Sequence, residues 1–215
     1  MKHPLLLVLA GPSGGGKTTV CRRIVAKRPD TAFSVSATTR EPRPGEQDGV
    51  DYRFVSRMEF QRLIETGGLL EWAEVHGELY GTPREMVSDR TEATGVLLLD
   101  IDVEGAGQVR DRAPEAVLVF LLPPSAEEML GRLRRRGSED EARLARRMRT
   151  ALSELEAAPE FDYVVVNEVL DATVRTVEAI LEAELHRADR CRDEVLKRTA
   201  GLRGSLEASL AGSHT

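Results

Sequence analysis

The chain has 215 residues, 41% hydrophobic and 31% charged, an ordinary balance for a soluble globular protein and enough length for one compact core. Lys and Arg number 30 and Asp and Glu number 36, so the formal net charge is −6, which argues against a protein that coats nucleic acid but not against a local cationic cluster for a small anion. Cys21 and Cys191 lie far apart and outside any metal-ligand spacing, so they read as free thiols in a reducing compartment. The apolar stretch from Leu5 to Ala10 is too short to span a bilayer and lacks a signal peptide's cleavage region. The expectation is a cytoplasmic protein with neither a membrane nor a nucleic-acid partner, monomeric or a small homo-oligomer.

In chain order, Leu5 to Ala10 reads as a strand buried on both faces of a parallel sheet, since it is continuously apolar and stops at Gly11 and Pro12. Thr18 to Lys27 reads as a helix that ends near Pro29. Residues 34–88 break the alternation: they are rich in Gly, Pro and polar residues and hold Trp72, Tyr52 and Tyr80, which predicts a small inserted β-containing subdomain. Val96–Leu99, Ala116–Leu122 and Tyr163–Val166 resemble the first strand. Residues 125–158 are strongly charged and helical. After Leu181 an Arg- and Glu-rich helix follows, and residues 199–215 are expected to fray. Buried strands separated by helices give an α/β fold, a parallel sheet flanked by helices, with a core of residues 1–33, 89–124 and 159–198.

Gly11-Pro12-Ser13-Gly14-Gly15-Gly16-Lys17-Thr18 matches G-x-x-x-x-G-K-[ST] in full. Glycines let backbone N–H groups turn inward around a phosphate, and the helix that follows points its amides and positive dipole end at the same anion. Lys17 can then reach the β- and γ-phosphates of ATP, and the Thr18 hydroxyl can ligate Mg²⁺. Gly11, Ser13, Gly14, Gly15, Gly16, Lys17, Thr18 and Thr19 are the expected ATP cradle of a P-loop NTPase core. Asp100, at the end of the Val96–Leu99 strand, is the expected acidic partner of the metal, with strand-end capping the plainer alternative.

Arg40 and Arg43 stand three apart beside a proline-restricted turn, where two guanidiniums can hold a phosphate, with phenolic bonds from Tyr52 and Tyr80. Read alone, such a pair is more often two solvated surface arginines. The series Gly11 to Thr18, Ser36 to Arg40, Pro42 to Glu46, Asp51-Tyr52, Leu70 to Glu74, Tyr80 to Thr82 and Leu99 to Gly105 resembles the guanylate kinase family in order and spacing, and the likeness runs on through Arg132–Gly137, Arg147 and Val166-Asn167, over roughly Leu5 to Leu185. By that resemblance Arg40, Arg43, Tyr52 and Tyr80 hold the phosphate of GMP, and Ser36, Glu71, Thr82 and Asp102 read its guanine. The chemistry suits Glu71: guanine offers N1–H and an amine to one carboxylate, whereas adenine places a lone pair at N1 there and leaves the carboxylate unsatisfied. Leu79 stands where many members carry a second tyrosine.

Arg132 and Arg136 are four apart and share a helix face. Most arginines of this segment read as a solvated, salt-bridged surface, but the resemblance picks out Arg132, Arg136 and Arg147 as residues of a helical lid that closes over ATP and the phosphate in transfer. It also places Asn167 near the adenine, although the acidic pair that often follows is here Glu168-Val169. The implied reaction is ATP + GMP → ADP + GDP with Mg²⁺, with Lys17, Arg40, Arg43, Arg132, Arg136 and Arg147 neutralising charge and aligning the groups. The alternatives are a kinase for another small acceptor on the same scaffold and a non-catalytic protein-interaction module. An intact Lys17, Thr18 and Asp100 argues against the second.

Overall fold

The computed structural model describes residues 5–75, 77–87, 95–135 and 141–212. In chain order the elements are β1 (Leu5–Ala10), α1 (Lys17–Lys27), β2 (Thr31–Phe33), β3 (Ala37–Thr38), β4 (Arg53–Phe54), α2 (Arg57–Glu65), β5 (Leu69–Val75), β6 (Glu78–Pro83), β7 (Val96–Asp100), α3 (Val103–Arg112), β8 (Val117–Leu122), α4 (Ala126–Arg135), α5 (Glu141–Glu156), β9 (Tyr163–Val166), α6 (Leu170–Leu185) and α7 (Arg192–Gly212).

Five of the strands form a parallel sheet in the order β2-β7-β1-β8-β9. Every residue of β1 is buried because the sheet is covered on both faces. Alternation along β1 divides the core. Leu5, Leu7 and Leu9 pack with Val20, Cys21 and Ile24 of α1 and with Val174, Val177 and Leu181 of α6. Leu6, Val8 and Ala10 pack on the other side with Ala106 and Val109 of α3. The α/β class expected from the apolar runs is the one observed. Strand β2 was not legible: three residues at a sheet edge make no periodic signal.

A second sheet, β4-β3-β6-β5, stands between β2 and β7 in the chain. Helix α2 closes it, starting in a capping box: the Ser56 hydroxyl accepts from the Glu59 amide at 3.2 Å, and the Glu59 carboxylate accepts from the Ser56 amide at 2.8 Å. Phe60 of α2 packs on Ala37, Leu69 and Leu79, so the residue standing in place of a second tyrosine is a core leucine. The sheet is tied to the main core through α3, since Gln108 bonds both the amide and the carbonyl of Trp72, and Arg112 donates to the Leu70 carbonyl at 2.7 Å. Helices α4 and α5 pack on one another through Met129, Leu133 and Ala151.

The chain end departs from its expectation. Where fraying was expected from Thr199, α7 continues through Gly212. Leu, Ala, Arg and Glu outweigh Gly201 and Gly204 in propensity, and Glu194–Arg198 and Arg203–Glu207 form ion pairs at helical spacing. No helix among the described residues is long and apolar enough to cross a membrane.

Candidate active site

The phosphate loop leaves the carboxyl end of β1, where open α/β sheets bind ligands. Two glycines are fixed by close approach and positive φ. A Cβ on Gly11 (φ 136) would come within 2.5 Å of the Leu121 carbonyl oxygen, and one on Gly16 (φ 91) within 2.5 Å of the Asn167 amide nitrogen. Lys17 folds back over the loop and donates to the Gly11 carbonyl at 2.8 Å. Pairing of β1 with β7 sets Leu9 opposite Asp100, and the Thr18 hydroxyl donates to the Asp100 carboxylate. A hydroxyl and a carboxylate at the mouth of the loop are hard oxygen donors of the kind Mg²⁺ takes.

One cavity of about 690 Å³ joins this loop to the small sheet and to α5. Ser13, Lys17 and Thr18 line one part of it, Ser36, Tyr52, Glu71, Tyr80 and Asp102 another, and Arg146, Arg147 and Glu154 a third. Glu71 is only 4% exposed, and Thr82, fully buried, donates to its carboxylate at 2.6 Å. Thr82 is not among the cavity's lining residues; it acts on the cavity by orienting Glu71. Burial pushes the Glu71 carboxyl up to about 7 from an ordinary 4.5, the Thr82 bond opposes this, and the Asp102 carboxylate adds to it. Asp102 caps α3, accepting from the Gly105 amide at 2.7 Å.

Gly105 is a site residue that the sequence did not single out. A Cβ there would lie 2.8 Å from Glu71 Oε2 and 3.3 Å from Asp102 Oδ1. Gly105→Ala is therefore expected to push the Glu71 carboxylate out of place while leaving the sheet intact. Titration with GMP should show binding weakened about tenfold or more, with little change in melting temperature.

The expected pair of phosphate-binding guanidiniums is arranged differently. Arg40 forms a 3.0 Å ion pair with Glu46, donates to the Glu41 carbonyl at 2.6 Å and lies over the Tyr52 ring at 5.3 Å. Glu46 also accepts from the Arg43 backbone amide at 2.8 Å, whereas the Arg43 residue is exposed. Arg40 thus sits behind the cavity-lining Tyr52, with its charge engaged by the Glu46 carboxylate. Arg136 lies outside the described residues. Arg132 pairs with Glu128 at 2.7 Å and faces a second hollow of about 340 Å³, lined also by Gly14, Gly16, Thr19 and Asn167.

Asn167 braces the loop as well as lining that hollow: 5% exposed, it donates to the Gly15 carbonyl at 2.6 Å and accepts from Thr173 at 3.0 Å. From α5, Arg147 donates to the Ser13 hydroxyl at 3.1 Å, and Glu154 accepts from the Ser13 amide at 3.4 Å. Arg146 and Glu154 were not singled out by sequence. The one available signal for Glu154 is its distance of seven residues from Arg147, which repeats a helix face.

The model of the guanylate kinase family matches residues 3–184. The guanylate kinase of Caldanaerobacter subterraneus is 44% identical over 196 residues, covering 91% of this chain and 95% of that protein. That of Nocardia farcinica is 54% identical over 165 residues, 76% of this chain and 86% of its own. Among solved structures, the crystal structure of guanylate kinase from Anaplasma phagocytophilum is similar with a TM-score of 0.72 at 34% identity, over 88% of this chain and 90% of that one.

Proposed function

The chain belongs to the guanylate kinase family, and we infer that it transfers the terminal phosphate of ATP to GMP, giving ADP and GDP. The observation that carries this reading is that the P-loop lysine and a buried carboxylate suited to guanine's N1–H and amine edge line one cavity.

The loop amides from Gly14 onward and Lys17 hold the donor's phosphates, and the hollow beside Arg132 and Asn167 takes its adenine. Glu71, oriented by Thr82, accepts from guanine, with Ser36 and Asp102 alongside. Tyr52 and Tyr80 bind the GMP phosphate. Arg40 and Arg43 join them when the small sheet closes and that phosphate displaces the Glu46 carboxylate as the acceptor for Arg40. Arg147, with Arg132 and Arg136, neutralises charge that spreads over the equatorial oxygens. Acceptor and donor phosphates held in one dry cavity react in line, and no side chain need be phosphorylated.

The donor set at the loop's mouth fits Mg²⁺. Among the described residues no three His, Cys, Asp or Glu side chains form a metal cage, and Mg²⁺ is ordinarily held by few protein oxygens together with water and substrate phosphates. Thr18 and Asp100 would hold it, directly or through water, and when bound it neutralises phosphate charge. The free thiols Cys21 and Cys191 fit a cytoplasmic enzyme of purine nucleotide metabolism.

The test is ADP release in a coupled assay across GMP, AMP, UMP and dTMP, with and without Mg²⁺. GMP with Mg²⁺ is expected to be the best substrate by a factor of about 10³ or more. AMP turning over faster than GMP would refute the role given to Glu71.

A further inference from the structure

Ser13 is held by the lid helix at two points. Arg147 donates to its hydroxyl at 3.1 Å, and Glu154 accepts from its backbone amide at 3.4 Å. Residues seven apart on a helix lie within about 20° of one another around the axis, so both side chains leave α5 on one face. Both line the same cavity as Lys17. A carboxylate there opposes the site's own chemistry, since the loop and Lys17 are arranged to attract the polyanionic tail of ATP and Glu154 repels it. Burial also pushes the Glu154 carboxyl up, and the Lys17 ammonium pulls it back toward the charged form. Against both costs Glu154 supplies a specific contact: among the described residues its hydrogen bond to the P-loop is from the Ser13 amide.

We propose that Glu154 is a positioning residue: by holding the Ser13 amide it sets the register of the lid helix on the phosphate loop, so that Arg147 is delivered to the phosphate in transfer. It does not touch substrate and acts through Arg147. Once ATP occupies the loop, Arg147 exchanges the Ser13 hydroxyl for phosphate oxygens, and Glu154 keeps its grip on the amide. The hydrogen-bond acceptor matters rather than the charge. The proposal rests on phosphotransfer to GMP at this site.

The test measures kcat and both KM values for the wild type, Glu154→Ala, Glu154→Asp, Glu154→Gln, Arg147→Ala and the Arg147→Ala/Glu154→Ala double variant. Displacement by about 1 Å at such a site costs on the order of 10²-fold in rate. Glu154→Ala is accordingly expected to lower kcat about 30-fold with KM for GMP within about threefold, and Glu154→Asp, one methylene short, to lower it about fivefold. Glu154→Gln, which retains a carbonyl acceptor, should stay within about threefold of the wild type. The double variant should be no slower than Arg147→Ala alone, because the two residues act as one unit.

Additive losses in the double variant, or Glu154→Gln as slow as Glu154→Ala, would overturn the proposal. If Glu154→Ala fails to fold, Glu154→Asp and Glu154→Gln carry the test, and an Asp variant with wild-type kcat refutes it. A wild type with no GMP-dependent ADP release would instead refute the reaction itself.

Discussion

Lys17→Met is expected to lower kcat for GMP-dependent ADP formation about 10³-fold, with the protein still folded and melting close to the wild type. The ammonium rests against the Gly11 carbonyl at 2.8 Å, within the loop proposed to surround the β- and γ-phosphates. Its hydrogen bonds go to the Gly11 and Pro12 carbonyls, so the fold has about 1 kcal/mol to lose. The rate has much to lose, because negative charge migrates during transfer and a preorganised cation in a dry site is worth about 3–4 kcal/mol to the transition state. Methionine matches the length of the aliphatic stem and removes the charge and its hydrogen-bond donors. Single-turnover measurements should place the loss in the chemical step, with ATP affinity changed far less. A variant that retains its phosphotransfer rate would mean that this cavity is not where the reaction occurs.

Glu71→Gln should be the second most damaging single change, and its signature is selectivity. The amide presents one acceptor and one donor where guanine presents two donors, so kcat/KM for GMP should fall about 10³-fold while AMP loses much less. The wild type should mimic part of this as pH falls. Folding raises the Glu71 carboxyl to about 7, and the role proposed for it toward guanine needs the ionised form. Below about pH 7 the free enzyme must give up that proton, and kcat/KM for GMP should drop about tenfold per pH unit, a slope absent in Glu71→Gln.

Stability runs in the opposite direction. Between about 4.5 and 7 the folded protein binds this proton more firmly than the unfolded chain, so the contribution of Glu71 declines as pH rises through that window and is lost above it. Glu71→Gln should therefore melt higher than the wild type at pH 8, a trade of stability for recognition. Thermal melts at pH 5 and pH 8 check the sign.

What could be read from the chain alone was local or periodic. The P-loop is a contiguous run whose glycines are required by backbone geometry, so its place between β1 and α1 follows from eight successive residues. Strands β1, β7 and β8 announced themselves as apolar runs, because a strand covered on both faces has no polar side to show, and the edge strand β9 reads the same way although Val164 and Val166 are exposed. Glu71, by contrast, reads as an ordinary surface glutamate until family likeness is invoked. Its burial comes from Thr82, eleven residues away on the neighbouring strand, and from Gly105 at the start of a helix in the main core.

Side-chain contacts, one within a loop and the others remote in sequence, decided the rest. Glu46 engages Arg40, which lies over the Tyr52 ring, an arrangement set by the folding of one loop. Glu154 meets Ser13 across 141 residues, and Asn167 meets Gly15 across 152. A hydrogen bond leaves no periodic trace in either partner when the two lie on different elements, so only the packed molecule brings them into view. Backbone propensity, hydrophobic alternation and the phosphate loop were properties of the sequence itself. The orientation of each charge toward the reacting phosphate was a property of the tertiary structure, because it depends on which distant group competes for that charge.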